Sequence, residues 1–162
     1  MDPFWDCSIN IVLHEPEIPG NTGTIGRLCV GCNASLTLIE PLGFSLDDKY
    51  LRRAGLDYWP KLKWRVLPNW DHFYHEMEKL QKTDRLFYCS TKAQNSYSAV
   101  TYQRGDFLIF GKETKGLPES LLTDHPAQAI KIPMTDSIRS INLAIATGII
   151  TYEALRQTGE QL

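Results

Sequence analysis

The stretch "LIFGKETKGLP", Leu108 to Pro118, runs from an apolar segment directly into a loop rich in glycine and charge. Its "GK" pair invites comparison with a phosphate-binding loop, which needs four residues between two glycines and a Ser or Thr after the lysine. Here five residues separate Gly105 from Gly111, and Glu113 follows Lys112. Because a carboxylate at that position repels phosphate, the loop is predicted to hold a different kind of ligand.

The composition indicates one domain, spanning residues 1–162, with enough chain to bury a core. The first residues, "MDPFWDCSIN", lack the basic start and apolar core of a signal peptide. The longest uncharged apolar run near the C-terminus, Ser140 to Tyr152, is shorter than the roughly 20 residues of a membrane span. These features predict a soluble cytoplasmic protein with no membrane partner. The net charge of −2 requires any nucleic-acid binding to come from a local basic patch.

Short apolar runs alternate with helical patterns along the chain. The predicted strands are "INIVLH" (Ile9 to His14), "LTLIE" (Leu36 to Glu40), "RLFYCS" (Arg85 to Ser90), "DFLIF" (Asp106 to Phe110) and "AIKI" (Ala129 to Ile132), with "WRVL" at Trp64 as an extra edge strand. The predicted helices are Asn21 to Cys32, Leu46 to Ala54, Asn69 to Lys82 and Ser140 to Gln157. This alternation predicts the α/β class, with a mostly parallel sheet flanked by helices.

Cysteine and histidine spacing does not predict a metal site. The four cysteines are Cys7, Cys29, Cys32 and Cys89. The Cys29 and Cys32 pair falls near the end of a predicted helix, without a second close pair, so buried reduced thiols are expected, and a redox role for the pair stays open. His72 and His75 stand beside glutamates on a predicted amphipathic helix and are expected on a solvated face.

Three polar or glycine-rich loops follow predicted strands, and in open α/β sheets ligands bind at the carboxyl ends of strands. They are "EPEIPGNTGTIGR", "GKETKGLP" and "PMTDSIRSIN". In the first loop Asn21 or Thr22 is predicted to cap the next helix, with Arg27 about one and a half turns further on. "GNTGTIG" lacks the glycine spacing of a dinucleotide-binding fingerprint, which argues against an NAD site.

These three loops resemble the three motifs of the SPOUT superfamily of RNA methyltransferases, through "NTGTIGR", "FGKETKGLP" and "IPMTDSIRSINLAIATGIITYEALRQ". Two further stretches, "NIVLHEPEIPGNTG" and "EPLGFSLDDKYLRRAGLDYW", look like the small tRNA (cytidine/uridine-2′-O-)-methyltransferases of the TrmL or YibK type. The resemblance covers residues 8–157 and implies a C-terminal deep trefoil knot, which topology rules alone do not predict. It also implies 2′-O-methylation of the wobble nucleotide of tRNA, with leucine isoacceptors expected.

The resemblance implies that S-adenosylmethionine is held in the knotted pocket and released as S-adenosylhomocysteine. The cofactor residues carried over by motif are Cys89, Gly111, Ile132, Met134 and Ser140. Glycine lets the backbone approach adenosine closely, while Ile132 and Met134 supply apolar walls. Glu113 is expected to fasten the loop or a partner subunit. Two alternatives stay open: Gly111 and Gly116 as turn glycines, and Ser140 as the cap of the last helix.

The resemblance points to Arg27 and Asn142 as catalytic residues. A guanidinium stays charged in proteins, so Arg27 is expected to clamp a phosphate and stabilise developing alkoxide, and the proton acceptor is left open. An ordinary surface arginine is the alternative. Asn21 is expected at the substrate, and Tyr152 is expected near the subunit interface, helping to hold tRNA or packing there. Some relatives carry a polar residue where this chain has Ile145.

RNA binding is predicted from "KYLRRAGLDYWPKLKWR", Lys49 to Arg65, which combines six basic residues with aromatic ones. Arg52 and Arg53 are the substrate residues expected there, on an anticodon stem-loop, although a helix with solvated charges is the alternative. The last helix carries apolar residues on more than one face, which predicts a homodimer, as the resemblance also implies. Competing functions are methylation of another tRNA position or ribosomal RNA, and a non-catalytic RNA-binding module.

Overall fold

The structure, a computed structural model, describes residues 3–47, 49, 51 and 58–162. The strands are β1 (Ile9–His14), β2 (Ser35–Ile39), β3 (Trp64–Leu67), β4 (Leu86–Cys89), β5 (Asn95–Ser96), β6 (Asp106–Phe110) and β7 (Ala129–Lys131). The helices are α1 (Pro19–Gly31), α2 (Trp70–Lys79), α3 (Glu119–Asp124) and α4 (Leu143–Thr158). Short 3-10 helices occupy Pro3–Trp5, Trp59–Lys61 and Thr83–Arg85.

The described strands form a seven-stranded sheet in the order β3-β2-β1-β6-β4-β7-β5. Its strand pairings are all parallel, which confirms the predicted α/β class. Ile11 of β1 lies in register with Leu36 of β2 and Leu108 of β6. Every residue of β1, β2 and β6 is buried, because the sheet is covered on both faces. "WRVL" is an edge strand, as predicted.

Two apolar cores lie on opposite faces of the sheet. Ile11 points to the face where Ile25 of α1 and Ile150 of α4 pack. Its neighbour Val12 points to the other face, where α2 contributes Phe73. Complete burial of such a side chain stabilises the fold by about 1.5 to 3 kcal/mol. The buried strands are therefore mostly hydrophobic on both faces.

The starts of two helices differ from the predictions. Helix α1 begins at Pro19, and the capping position is Ile18, whose side chain forms no capping hydrogen bond. The prediction that Asn21 or Thr22 caps this helix was therefore wrong, since proline at the first helical position moves the start upstream. Helix α4 is capped by Asn142, whose side chain accepts from the N–H groups of the second and third helical residues. The alternative of Ser140 as its cap is thereby excluded.

Strand predictions held better than the predictions for short elements. The predicted bounds of β1 and β6 match the structure residue for residue. Strand β5, of two residues, and helix α3, of six, were not predicted, because so few residues show no periodicity. The predicted helix Leu46 to Ala54 falls mostly on residues outside the described ranges.

Candidate active site

A cavity of about 1130 Å³ opens at the carboxyl ends of β4, β6 and β7. Its walls come from residues 89–92, 110–116 and 130–132, from residues 139–143, and from the start of α1. This is the edge where open parallel sheets bind ligands. Its volume is close to the upper end of the range for small-molecule pockets, about 300 to 1000 Å³.

The five predicted cofactor residues all line this cavity: Cys89, Gly111, Ile132, Met134 and Ser140. They come from three loops that are distant in sequence, and the sheet order brings them together. Burial raises the pKa of the Cys89 thiol well above its ordinary value, so this side chain is a neutral wall and not a nucleophile. The cavity therefore has uncharged and apolar wall residues in Cys89, Ile132 and Met134.

Gly111 occupies a position that only glycine fits. Its φ is +104°, and a Cβ at this residue would lie 2.6 Å from the carbonyl oxygen of His14. The alternative of a simple turn glycine describes Gly116 better, since that residue also has a positive φ of +69° but has open space around its Cα. Gly111 thus lets the loop after β6 pass directly against the end of β1.

The loops after β1 and β6 are joined by a reciprocal set of hydrogen bonds. The Glu113 carboxylate accepts from the backbone N–H of Glu17 (2.8 Å) and of Ile18 (3.1 Å). The Glu17 carboxylate accepts from the backbone N–H of Thr114 (3.0 Å) and from its hydroxyl (2.9 Å). We call Glu17, Glu113 and Thr114 the loop clasp. The hydrogen bond from the Thr114 N–H holds the pKa of Glu17 below its ordinary value, and Glu113 fastens the loop, as predicted.

Asn21 and Asn142 meet at the rim of the cavity, and both line it. The Asn142 amide donates to the side-chain oxygen of Asn21 over 3.1 Å, across 121 residues of sequence. The Asn142 side-chain oxygen also accepts from the N–H of Ala144 over 2.9 Å. The start of α4 is therefore tied to α1, and the two predicted site residues form one polar group.

Arg27 is not among the residues that line the cavity. It is exposed on α1, and its guanidinium carbon lies 5.7 Å from the centre of the Tyr58 ring. The Tyr58 hydroxyl in turn donates to the carbonyl oxygen of Gly23, over 2.7 Å. Within one chain, the structure does not bring the predicted catalytic arginine together with the predicted cofactor residues.

Part of the predicted RNA-binding segment serves the fold instead. The Arg65 guanidinium lies 3.9 Å from the Trp5 ring centre and pairs with Glu76. The rings of Trp59 and Trp64 pack 5.0 Å apart, against the core. This corrects the prediction for these residues, because their aromatic surfaces are used internally. Arg52 and Arg53 lie outside the described residues.

Several basic residues that were not predicted as site residues also line the cavity. Lys112 pairs with Glu15 over 2.6 Å. Three further cavity residues, Lys115, Lys131 and Arg139, have no ion-pair partner among the described residues. Their signal in the sequence was their position in the same polar loops as the predicted cofactor residues. The cavity rim is thus positively charged, which suits an anionic ligand.

Large apolar side chains are exposed beside this site. Tyr152 is 50 % exposed and Ile145 is 57 % exposed, and the two lie seven residues apart on one face of α4. Ile138, in the segment before α4, is 56 % exposed, and Ile18, which lines the cavity, is 47 % exposed. We call Ile18, Ile138, Ile145 and Tyr152 the apolar face. Exposed large apolar side chains such as Ile145 and Tyr152 on one helix face are typical of protein interfaces.

His14 ends β1 but does not line the cavity. Its ring is buried, packs 5.7 Å from that of Trp70, and leaves Nδ1 without a hydrogen-bond partner. Burial lowers the pKa of this imidazole below its ordinary value, partly offset by the nearby Glu15 carboxylate. His14 is therefore held neutral behind the loops and not presented to a ligand.

The described residues contain no group of three or more His, Cys, Asp or Glu side chains that could hold a metal ion. Cys7, Cys29 and Cys32 are buried free thiols, as predicted for the cysteine pair. None of the helices in the described part of the chain is long and apolar enough to cross a membrane.

A family model for the SpoU rRNA Methylase family matches residues 8–152. The chain belongs to this family. Among curated SpoU relatives, the tRNA (cytidine(34)-2′-O)-methyltransferase of Escherichia coli strain K12 is 49 % identical over 152 residues, which cover 93 % of this chain and 94 % of the relative. A protein of the same name from Yersinia pestis is 50 % identical over 154 residues, covering 93 % and 94 %.

Solved structures of SpoU proteins agree with the fold. One that addresses 2-OH methylation of C/U34 on tRNA is 41 % identical, covers 94 % of this chain and 97 % of its own, and has a TM-score of 0.84. The SpoU methyltransferase AviRb from Streptomyces viridochromogenes, solved in complex with AdoMet, is 23 % identical, covers 93 % of this chain and 61 % of its own, and has a TM-score of 0.81. At that identity the likeness concerns the fold alone.

Proposed function

We propose that this protein transfers a methyl group from S-adenosylmethionine to the ribose 2′-oxygen of the wobble nucleotide, C34 or U34, of tRNA. The observation that carries the proposal is the cavity at the carboxyl edge of the sheet, where all five cofactor residues expected from the sequence converge. The relatives named for this reaction span nearly the whole chain. Leucine tRNAs in the cytoplasm are the proposed substrates.

The residues of the cavity fit S-adenosylmethionine. Gly111 lies against the His14 carbonyl and so lets the loop 111–116 form a wall of the cavity, and Ile132 with Met134 offers apolar surface for the adenine ring. Ser140 faces the same space from the loop before α4. When bound, the cofactor supplies a methyl group on a positively charged sulfur, so the protein has no need to generate the electrophile. Its task is to bring the ribose hydroxyl into line with that methyl.

Asn142 and Arg27 are proposed to act on the RNA. Asn142 is held by Asn21 at the cavity rim, where its amide can orient a ribose hydroxyl. Arg27 keeps its charge and is proposed to bind the phosphate beside the target nucleotide, stabilising negative charge that develops on the 2′-oxygen. The hydroxyl proton leaves to an acceptor that is not assigned to any of these residues.

Two copies of the chain are proposed to build the RNA site together. The apolar face on and beside α4 gives the surface for a homodimer, and Arg27 stands apart from the cavity of its own chain. A dimer would bring the basic cavity rims and Tyr152 of two copies to one anticodon stem-loop, with Arg52 and Arg53 as further phosphate contacts. The whole chain, residues 1–162, would then act as one domain without a separate RNA-binding module.

We also propose that the C-terminal segment is threaded as a deep trefoil knot. Strand β7 lies between β4 and β5, and the chain then returns so that α4 packs against α1 at the other side of the cavity. The placement of β7 between two strands that precede it in sequence supports the proposal of a knot.

The test is methyl transfer to tRNA from cells that lack the activity, followed by nucleoside mass spectrometry and mapping of new 2′-O-methyl groups. A gain confined to the wobble nucleotide of leucine isoacceptors is expected. Because the matching family is described by its rRNA methylases, ribosomal RNA and other tRNA positions are the second candidates. A gain there would keep the chemistry and replace the substrate, whereas binding of the cofactor without any transfer would favour a non-catalytic RNA-binding module.

A further inference from the structure

The loop clasp joins two parts of the molecule that have different proposed tasks. The loop 111–116 is a wall of the cofactor cavity, and Lys112, Glu113 and Thr114 all belong to that wall. The segment 15–18 leads directly into α1, which carries Asn21 and Arg27. The Glu15 to Lys112 ion pair, at 2.6 Å, adds a third link between the same two loops.

The clasp anchors the two residues that lead into α1, whose capping position has no side-chain hydrogen bond. Ile18 offers no side-chain acceptor, and Pro19 has no N–H group. The Glu113 carboxylate takes the N–H groups of Glu17 and Ile18 instead. A negative charge at this end also interacts favourably with the helix dipole. The start of α1 therefore depends on a residue of the cofactor loop.

Glu17 supports the cofactor loop in return. The loop turns through two residues of positive φ, Gly111 and Gly116, and its internal backbone bond is the one from Gly116 N–H to the Lys112 carbonyl over 2.9 Å. The Glu17 carboxylate fixes the middle of this turn by binding both the N–H and the hydroxyl of Thr114. Each loop is thus the support of the other.

The geometry points to Glu17 and Thr114 as a positioning pair that makes the cofactor loop and the start of α1 move as one unit, so that cofactor and RNA bind cooperatively. The inference rests on the proposed function, because it requires both ligands. A ligand that orders loop 111–116 orders α1 through the clasp, and through Asn21 it also orders Asn142. By linkage, RNA must then raise cofactor affinity by the same factor.

The experiment measures the dissociation constant of a leucine tRNA anticodon stem-loop with and without saturating S-adenosylhomocysteine. For the unaltered protein we expect RNA to bind at least about 5-fold more tightly with the cofactor product present. In Glu17→Ala this ratio should fall to within about 2-fold of unity. Glu17→Gln keeps one oxygen that can accept from the Thr114 N–H, so it should restore part of the ratio.

Two further variants separate positioning from stability. Thr114→Val keeps the shape and the backbone N–H but removes the hydroxyl donor, so it should lower the ratio less than Glu17→Ala and remain folded. Glu78→Gln is the matched control, since Glu78 is an exposed glutamate of α2 whose partner is His75. The control should leave the ratio unchanged. In steady-state transfer, Glu17→Ala should raise the KM for RNA more at saturating cofactor than at low cofactor, because only the cofactor-bound state loses the coupling.

Two results would overturn the inference. One is RNA affinity that does not respond to the cofactor product in the unaltered protein, and the other is an unchanged ratio in folded Glu17→Ala and Thr114→Val. Both can occur while methyl transfer to tRNA proceeds, and then the proposed function stands without the positioning role. Absence of cofactor binding and of transfer in the unaltered protein would instead refute the proposed function.

Discussion

The two edges of the parallel sheet carry similar polar residues but differ in whether those residues have partners within the chain. At the amino edge, where β1, β2 and β6 begin, buried polar groups find partners within the chain. The Asp106 carboxylate, 1 % exposed, accepts from Arg85 Nε over 2.8 Å and from Arg85 Nη2 over 2.6 Å. Asn10 donates to the Gly105 carbonyl, and the Ser35 hydroxyl donates to Asn10. This edge is closed and serves stability.

At the carboxyl edge, where β4, β6 and β7 end, the arrangement is open. The loops enclose a cavity of about 1130 Å³, Gly111 has a backbone conformation that disfavours other residues, and Lys115 and Arg139 line the cavity. A polar group that lacks a partner in the chain is available to a ligand. Burial of a polar group and the presence of its hydrogen-bond partner, more than its polarity, therefore distinguish a structural cluster from a functional one.

At the amino edge, Arg85→Ala should cause the largest loss of unfolding free energy. This change leaves the buried Asp106 carboxylate without its bidentate partner, which costs about 3 to 5 kcal/mol of unfolding free energy. Urea denaturation measures the loss, and cofactor affinity of the remaining folded protein should be unchanged. Arg104→Ala, at an exposed arginine paired with Glu160, is the control and should cost less than about 1 kcal/mol. A loss of affinity in the Arg85 variant would mean that the two edges are coupled.

At the carboxyl edge, Arg27→Ala should lower methyl transfer while the protein stays as stable as before. Removal of a charged group that stabilises the transition state lowers transfer by about 100-fold to 1000-fold or more. Cofactor affinity should stay nearly unchanged, because Arg27 does not line the cavity. Single-turnover methyl transfer and calorimetric cofactor titration measure the two quantities. Loss of cofactor binding would assign Arg27 to the cavity, and full activity of Arg27→Lys would show that the planar guanidinium is not required.

The contrast becomes sharper when the same substitution is made at a glycine of each edge. Gly111→Ala combines backbone strain with a contact of 2.6 Å to the His14 carbonyl oxygen, so it should cost about 2 to 4 kcal/mol and at least about 10-fold in cofactor affinity. Gly105 has a φ of +84° but open space around its Cα. Gly105→Ala should therefore cost about 1 kcal/mol and leave affinity intact. Equal effects would contradict the assigned role of the close approach.

The smallest expected effect is a pH dependence from His14. Burial lowers its pKa from the ordinary 6.5, so the unfolded chain takes up a proton before the folded one. Stability is then full above pH 6.5 and falls as the pH drops toward the lowered folded pKa, by at most about 1.4 kcal/mol per pH unit. The free energy of unfolding should be measured from about pH 7.5 to about pH 5, an interval that includes the ordinary histidine pKa. His14→Phe should show a flatter pH dependence than the unaltered protein. An unchanged curve would place the titration in other groups.

Much of the architecture could be predicted from local pattern. Strands β1 and β6 were placed residue for residue, because strands of a parallel sheet that are buried on both faces form nearly continuous apolar runs. The starts of the helices were less predictable. Asn21 and Ser140 have side chains that can cap a helix. Helix α1 nevertheless begins at Pro19, and Asn142 is the residue that caps α4. The capping position depends on where the chain turns into the helix. Residue type favours certain residues at that position but does not fix where the turn occurs.

The candidate site was predicted by resemblance to known motifs, and its five cofactor residues do meet in one cavity. The separation of Arg27 from that cavity was not predicted. It was also not predicted that Arg65 and Trp59, which belong to the basic segment, make contacts within the fold. A list of basic and aromatic residues contains no information about which partners they meet. Packing decides whether a side chain is available to RNA.

Composition and pattern determined the class of the sheet, the buried thiols and the loops that bear the chemistry, because these follow from burial and from local backbone preference. The tertiary structure alone decided the reciprocal contacts of Glu17 and Thr114, which are 97 residues apart, and those of Asn21 and Asn142, which are 121 apart. Such pairs form where neighbouring strands end at one edge. Strand order is a property of the whole folded chain, and each local segment is compatible with several orders.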